Sequence, residues 1–236
     1  MKKLFAAILM LTLALSAFAL AEDAMSYADF LAADIDDEVT VETYVQAHQG
    51  WWDNNGVGNI TIYAQDEEGG YFIYNAVATQ EEAEALQPGT KIRATGYKAE
   101  WSGELEIVEA TLEVLDGEFI AEPADVTDLL GTDALIEKQN QRVAFKGMTV
   151  EPIGDNGAAW LYGWDGSGEE GSDLYFNASV NGQTYSFAVE SYLCGPGTEV
   201  YEAVKALNVG DVIDLEGFLY WYEGPNPHIT AIMPAA

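Results

Sequence analysis

Cysteine, histidine and basic residues are scarce in this chain. Its 236 residues include one cysteine, two histidines and nine lysines or arginines, against 40 aspartates and glutamates. The one cysteine, Cys194, cannot form an intrachain disulfide, and its apolar neighbours predict a buried, inert thiol. The two histidines, His48 and His228, lie far apart in the sequence and do not indicate a zinc site or a histidine-dependent nucleophile. The shortage of cations also disfavours a groove for nucleic-acid phosphates.

Only one apolar run is long enough to concern a membrane, and it lies at the start of the chain. Lys2 and Lys3 precede an apolar stretch over residues 4–15, and residues 19–21, Ala-Leu-Ala, have the small-x-small pattern of a cleavage site. The stretch is short for a membrane span. The pattern therefore predicts a signal peptide at residues 1–21 and a secreted protein, either extracellular or periplasmic, with a retained N-terminal anchor as the alternative.

The acidic excess gives the chain a formal net charge of −31. Cleavage after Ala21 would remove Lys2 and Lys3 but no acidic residue, which makes the charge −33. Such a field repels nucleic acid and favours cations or neutral partners, although high charge also serves solubility alone. A hydrophobic content of 49% with 12% aromatic residues is typical of a folded protein rather than a disordered acidic chain.

A glycine pattern recurs once along the chain. Three glycines in the first half have counterparts exactly 121 positions later in the second half, and the pairs are Gly89 with Gly210, Gly96 with Gly217, and Gly103 with Gly224. The apolar alternation between these glycines is also repeated, as expected for strands with one buried face. Glycines suit the turns and sharp bends at which a small barrel closes. The pattern indicates an internal duplication of a β-barrel.

Each half reads as three strands, a short helix and two further strands. Thr79 is the expected cap of the first helix, over residues 79–86, and the second helix is expected at 199–207. We therefore predict a mainly β fold of two tandem five-stranded barrels, each with a short helix between strands three and four. The domains are expected at 22–117 and 124–236, joined by a linker at 118–123. The second domain carries an acidic, glycine-rich insertion at 163–173.

These features resemble the OB-fold superfamily, and most of all the tandem OB-like modules of secreted bacterial proteins. The resemblance rests on the helix between strands three and four, on Gly89 and Gly210 before strand four, and on the hairpins at 96–103 and 217–224. It implies that ligands bind on the outer face of strands two and three and the adjoining loops. OB folds bind nucleic acids, oligosaccharides or proteins there, so the resemblance does not select a ligand.

Alternation along the strands predicts which side chains lie on that outer face. On strand three, Phe72, Tyr74 and Ala76 are expected inside the barrel, and the residues between them outside. Adjacent tryptophans at positions 51 and 52, in a loop rich in glycine and asparagine, cannot both point into one core. The predicted ligand-binding residues are Trp51, Trp52, Asp53, Tyr63, Gln65, Tyr71, Asn75 and Trp101.

Exposed rings flanked by amides and carboxylates favour a neutral ligand. We expect a secreted, non-catalytic, monomeric binding module for an extracellular polysaccharide or protein, acting by ring stacking. The alternative is an OB-type single-stranded nucleic-acid binding protein, because bases also stack on such rings. Lys91 and Arg93 share one strand face and could contact an anion, or they could pair with nearby carboxylates. A structural spacer without a ligand is the third class, favoured if Trp51 and Trp52 are inaccessible.

Metal binding and catalysis have weaker signals. Weak Ca²⁺ binding is a candidate at Asp53 and Asn55 and at Asp165 and Glu169, because these oxygen donors lie in glycine-rich loops. Neither loop has the EF-hand spacing, and no other cofactor is expected. A glycosidase needs only two carboxylates, but nothing marks a pair among the 40 acidic residues. We expect no enzymatic activity.

Overall fold

The computed structural model describes residues 24–235, so the signal peptide predicted at 1–21 lies outside the described residues. The chain is mainly β, which confirms the predicted class. In the described part of the chain the strands fall into two sheets of six and seven strands, and three short α-helices and two 3₁₀ segments accompany them. Within residues 24–235 there is no helix with the length and apolar character needed to cross a membrane.

The first sheet comes from the first half of the chain. Its strands are β1 (Glu38–His48), β2 (Trp52–Asn54), β3 (Val57–Gln65), β4 (Gly70–Val77), β5 (Thr90–Trp101) and β6 (Glu104–Glu118). Starting from β1, successive pairings lead through β5, β6, β4 and β3 and return to β1. Five strands therefore form a closed circuit, with β2 added beside β3. Of these pairings only β4 with β6 is parallel.

The second sheet follows the same order. Its strands are β7 (Ala124–Asp125), β8 (Arg142–Glu151), β9 (Leu161–Tyr162), β10 (Leu174–Val180), β11 (Gln183–Val189), β12 (Val212–Phe218) and β13 (His228–Pro234). Pairings lead from β8 through β12, β13, β11 and β10 and return to β8, and the link between β11 and β13 is parallel. The positions of β8, β10, β11, β12 and β13 thus correspond to those of β1, β3, β4, β5 and β6.

The helices occupy equivalent places in the two halves. Helix α1 (Tyr27–Ala32) precedes β1, α2 (Gln80–Ala85) joins β4 to β5, and α3 (Glu199–Lys205) joins β11 to β12. Threonine begins both joining helices: the Thr79 hydroxyl accepts from the Glu82 N–H, and the Thr198 hydroxyl accepts from the Tyr201 N–H. These caps satisfy N–H groups that the first helical turn leaves unpaired. The 3₁₀ segments, Thr127–Leu129 and Asp133–Lys138, lie before β8.

The repeated glycines have matching backbone geometry. Gly89 and Gly210 have φ values of +94° and +95°, a conformation that favours glycine over residues with a side chain. A Cβ at Gly96 or Gly217 would collide with the backbone of the adjacent strand, at Val108 and His228 respectively. Two of the three glycine pairs are therefore required by the same local structure in both halves.

Strand β4 departs from the predicted alternation. Tyr71 and Ile73 are buried in the core of the first sheet, whereas Phe72 faces outward and Tyr74 is exposed. The register against β3 shifts next to Asn75, whose φ is +49°. A bulge of this kind places one additional residue in a strand and reverses the alternation on one side of it. The predicted inward positions of Phe72 and Tyr74, and the outward position of Tyr71, are therefore wrong, while Ala76 is buried as expected.

The segment predicted as a linker, residues 118–123, forms hydrogen bonds with both halves of the chain. The Gln46 side chain donates to Phe119 O at 3.2 Å and accepts from the Ala121 N–H at 2.9 Å. From the second half of the chain, Arg142 Nη1 donates to Ala121 O at 2.8 Å. Residues 118–123 therefore connect the two halves through fixed hydrogen bonds.

Candidate functional site

A buried aromatic cluster joins the two sheets. Tyr63 of β3 and Phe72 of β4 project outward from the first sheet, and Phe218 and Tyr220 cover them from the second half of the chain. The Tyr63 and Phe218 rings stack with centroids 4.7 Å apart, and Phe72 meets Tyr220 edge-on at 5.2 Å. We call this contact, together with His228 and Glu104, the seam. It covers the outer face of β3 and β4, where the OB resemblance implies a ligand.

A buried hydrogen bond also crosses the seam. The Tyr63 hydroxyl and His228 Nδ1 lie 2.7 Å apart, and the imidazole stacks on Tyr220 at 4.3 Å. Burial lowers the pKa of His228 to about 4 and raises the pKa of Tyr63 well above its usual value. Both groups therefore remain neutral at neutral pH, so the seam does not bury an unpaired charge at this contact.

Polar contacts surround the aromatic cluster. Gln65 Oε1 accepts from the Arg142 N–H at 2.7 Å, and Asn140 Nδ2 donates to Leu105 O at 3.1 Å. On another side of the contact the Gly50 N–H donates to Tyr192 O at 3.2 Å. Each of these hydrogen bonds joins the first half of the chain to the second. Satisfied polar groups around an apolar centre are typical of a stable packed interface.

Two glutamates on β6 face the seam. Glu104 is fully buried, and its Oε2 accepts from the Trp221 N–H at 2.7 Å and from Gln139 Nε2 at 3.2 Å. Glu106 is paired in register with Phe72 of β4 and is also buried. Burial raises the pKa of Glu104 to about 8 and that of Glu106 to about 7. Sequence reasoning missed both residues, because the alternation of Glu104 and Glu106 with apolar neighbours is equally typical of a solvated strand face.

Three predicted ligand-binding residues are buried. Tyr63 and Gln65 lie under the second half of the chain, and Tyr71 lies within the core of the first sheet, where its hydroxyl donates to Asp66 Oδ2 at 3.1 Å. A residue that other parts of the chain cover cannot stack on an external ligand. The structure thus uses these three side chains for packing.

The other predicted residues do not form one surface. Trp51 Nε1 donates to Ala78 O at 2.9 Å while its ring packs on the core of the first sheet, and Asn75 Oδ1 accepts from the Thr61 hydroxyl at 3.2 Å. Trp52 and Trp101 are 43% and 54% exposed, so the inaccessibility of both Trp51 and Trp52 that would favour a structural spacer is not found. Trp52 lies on β2, which pairs with β3, and the exposed residue Asp53 follows it. The Trp101 ring instead packs on the Tyr222 ring of the second half, with centroids 5.1 Å apart.

The calcium candidates use their carboxylates within their own loops. Asp53 Oδ1 accepts from the Gly56 N–H at 3.1 Å, and Asp165 Oδ1 accepts from the Ser167 N–H at 2.9 Å. In the described part of the chain there is no group of three or more His, Cys, Asp or Glu residues arranged to hold a metal ion. Calcium binding by Asp53 and Asn55, or by Asp165 and Glu169, stays a prediction.

The basic residues on strand β5 are engaged by carboxylates or carbonyls. Lys91 Nζ and Arg93 Nη2 lie 2.7 and 2.6 Å from the carboxylate oxygens of Glu42. These ion pairs confirm the expectation that the two cations pair with a nearby carboxylate. The hydrogen bonds from these two cations hold the pKa of Glu42 below its usual value. Lys98 is buried and donates to the carbonyls of Leu31 and Ala33. None of these three cations is arranged to meet a phosphate.

No protein-family model and no curated protein sequence matches this chain. Solved structures of similar backbone include a murine DNA-binding protein bound to double-stranded DNA, with 12% identity, a TM-score of 0.37, and coverage of 84% of this chain and 96% of that one. The Ifi202 HINa domain in complex with 20-base-pair double-stranded DNA has 12% identity, a TM-score of 0.36, and the same two coverages. Replication protein A bound to single-stranded DNA has 10% identity, a TM-score of 0.34, and coverage of 85% and 49%. Likenesses this distant do not establish a ligand for this chain.

The predicted polysaccharide- or protein-binding role is wrong. Its proposed surface required Tyr63, Gln65 and Tyr71 to be accessible, and all three are buried.

Proposed function

We propose that the chain is a non-catalytic structural unit made of two tandem OB-like barrels, residues 22–117 and 124–236. The second barrel occupies the face on which an OB barrel binds its ligand. The observation that carries this proposal is the burial of Tyr63 and Phe72, which project outward from the first barrel and yet are only 1% and 4% exposed.

The assignment of two OB-like barrels is supported by strand order. Each closed circuit has three strands, a helix and two strands, with one parallel pairing between the third and fifth strands. The same order characterises the OB fold, a five-stranded Greek-key barrel. The matching conformations of Gly89 and Gly210 support a common origin for the two halves.

The seam supports a fixed arrangement of the two barrels. Domains of one chain are expected to move relative to each other unless their interface is large and hydrophobic. Here Tyr63, Phe72, Phe218 and Tyr220 are buried together, and burial of each large apolar side chain contributes about 1.5–3 kcal/mol. The hydrogen bonds of the 118–123 segment add a second connection. We therefore expect the barrels to tumble as one body.

Rotational diffusion measured by NMR relaxation tests this role. The intact chain should give one correlation time for both barrels, since the seam is closed. The variant Phe218→Asp places a charge in the seam, outside both barrel cores, and should give two shorter correlation times. Tyr97→Asp, at an exposed site on β5, is the matched control and should behave as the unmodified chain. Independent tumbling of the barrels in the unmodified chain would contradict the proposal.

Single-stranded nucleic acid is the competing assignment. Its test is a titration of the intact chain with a labelled oligonucleotide at low salt, where phosphate contacts are strongest. The structural role predicts no binding, because the chain carries a net charge of −31 and the cations of β5 are already engaged. Binding that weakens steeply with salt would replace the structural role with the nucleic-acid one.

Export belongs to the same proposal and rests on the sequence of residues 1–21. Expression of the full chain in a secreting host should yield a protein outside the cytoplasm whose first residue is Glu22. Retention of Met1 in the exported protein would contradict cleavage at the predicted site.

A further inference from the structure

Two buried oxygen atoms at the seam lack a hydrogen-bond donor. Glu104 Oε1 and Asn140 Oδ1 are both buried and have no partner among the described residues. Burial raises the pKa of Glu104 and outweighs the hydrogen bonds from Asn140, Trp221 and Gln139, which act to lower it. Asn140 Nδ2 already donates to Leu105 O at 3.1 Å, which leaves Oδ1 as the amide atom in need of a donor. Buried acceptors are normally paired, so a pair of such atoms requires an explanation.

The titratable groups around Glu104 do not stabilise its ionised form. The other carboxyl oxygen, Oε2, already accepts from the Trp221 N–H and from Gln139 Nε2. The titratable groups that act on Glu104 from the neighbouring elements are Glu106 on β6, Tyr27 on α1, Tyr63 on β3 and Tyr220 after β12. These groups are acids, and none carries a positive charge that could stabilise an ionised Glu104.

We propose that Glu104 binds a proton in the folded chain, and that its neutral carboxyl holds the two barrels together at the seam. The inference rests on the proposed two-barrel arrangement. One proton bound from solvent removes the buried charge, while Oε2 still accepts from the Trp221 N–H and from Gln139 Nε2 of the second half. Loss of that proton leaves a buried carboxylate with no cation paired to it among the described residues.

The direction of the pH dependence follows from the burial of the carboxyl. Burial raises the pKa of Glu104 to about 8 from an ordinary value of 4.5, so the folded chain holds a proton that the unfolded chain has lost. The stabilisation is complete below the ordinary pKa, decreases as the pH rises, and is gone above about 8. Glu106, whose pKa burial raises to about 7, acts in the same direction. The seam should therefore open at alkaline pH and expose Tyr63 and Phe72.

The variant Glu104→Gln separates the proton from the rest of the seam. A glutamine side chain is neutral at every pH, and its oxygen can still accept from the Trp221 N–H and from Gln139 Nε2. Small-angle X-ray scattering should show the unmodified chain expanding between pH 6 and pH 9, and Glu104→Gln expanding less, because Glu106 still ionises in that range. Glu100→Gln removes an equal charge from an exposed site on β5 and should expand like the unmodified chain. Equal expansion of Glu104→Gln and Glu100→Gln would overturn the inference.

Carbon-13 NMR of labelled glutamate carboxyls observes the proton directly. One resonance should titrate near pH 8 and be absent from Glu104→Gln, and Glu106→Gln and Glu190→Gln identify the other raised resonances. A Glu104 carboxyl that is ionised at pH 6 in a compact chain would overturn the proton site while leaving the two-barrel unit intact. Barrels that are already separate at pH 6 would instead overturn the proposed function.

Discussion

A hydrogen bond between the Tyr63 hydroxyl and His228 Nδ1 crosses the seam. The hydrogen bond is buried among aromatic rings, where water cannot replace a lost partner. Tyr63→Phe keeps the stacking on Phe218 and removes only the hydroxyl. We expect it to lower the free energy of unfolding by about 1–3 kcal/mol, because His228 Nδ1 loses its partner.

Urea unfolding measures this difference. Tyr97→Phe removes a hydroxyl from an exposed ring on β5 and should leave the stability nearly unchanged. Equal stabilities for Tyr63→Phe and the unmodified chain would show that the buried hydrogen bond contributes nothing to the fold.

Several residue-scale features could be predicted from sequence and others could not. Thr79 was predictable as a helix cap because the signal lies within four residues, and the Lys91 and Arg93 pairing followed from the abundance of carboxylates. Glu104 was not predictable, since nothing local distinguishes a buried carboxyl from the other acidic residues. Its burial depends on Trp221 and Gln139, which are distant in sequence.

The residues of a strand that face the core were also only partly predictable from sequence. The alternation in β4 predicted strand structure correctly but gave the wrong facing residues before the bulge at Asn75. A bulge changes which face a side chain occupies without changing the apolar composition of the strand. The aromatic residues of β4 suit either face, so composition could not reveal the reversal.

The duplicated strands β5 and β12 make a paired prediction. Gly96→Ala and Gly217→Ala should each lower the free energy of unfolding by about 1–3 kcal/mol, because the new methyl group meets the backbone of the adjacent strand. Gly50→Ala is the control, since no atom lies within 4 Å of its Cβ position and its φ is not positive. Thermal unfolding of the three variants measures the effect. Tolerance of alanine at one glycine and not at the other would contradict an equivalent role in the two halves.

The whole molecule is dominated by negative charge. At a net charge of −31 the compact chain repels itself, and added salt screens that repulsion. Raising the salt concentration from about 0.01 M to about 1 M shortens the Debye length from about 30 Å to about 3 Å. We therefore expect the melting temperature to rise with sodium chloride concentration.

A neutral osmolyte at the same concentration serves as the control for general solvent effects. A melting temperature that falls as salt is added would contradict the dominance of repulsion. Such a result would instead show that the ion pairs of Glu42, which salt also screens, outweigh the net charge.

The architecture as a whole was only partly predictable. The mainly β class followed from local alternation and repeated glycines, which are visible in short windows of sequence. The seam was not visible, because it joins residues more than 140 positions apart, such as Tyr63 and Phe218. The sequence of one barrel alone predicts that a ring on its outer face is exposed and can bind a ligand. Only the position of the second barrel shows that the ring is buried.

Closure of the seam can be measured through the nuclear Overhauser effect between the rings of Tyr63 and Phe218. The two centroids lie 4.7 Å apart, so selectively labelled rings should give a strong cross-peak at pH 6. Absence of that cross-peak, with both rings open to a soluble paramagnetic probe, would contradict the account of the second barrel covering the first.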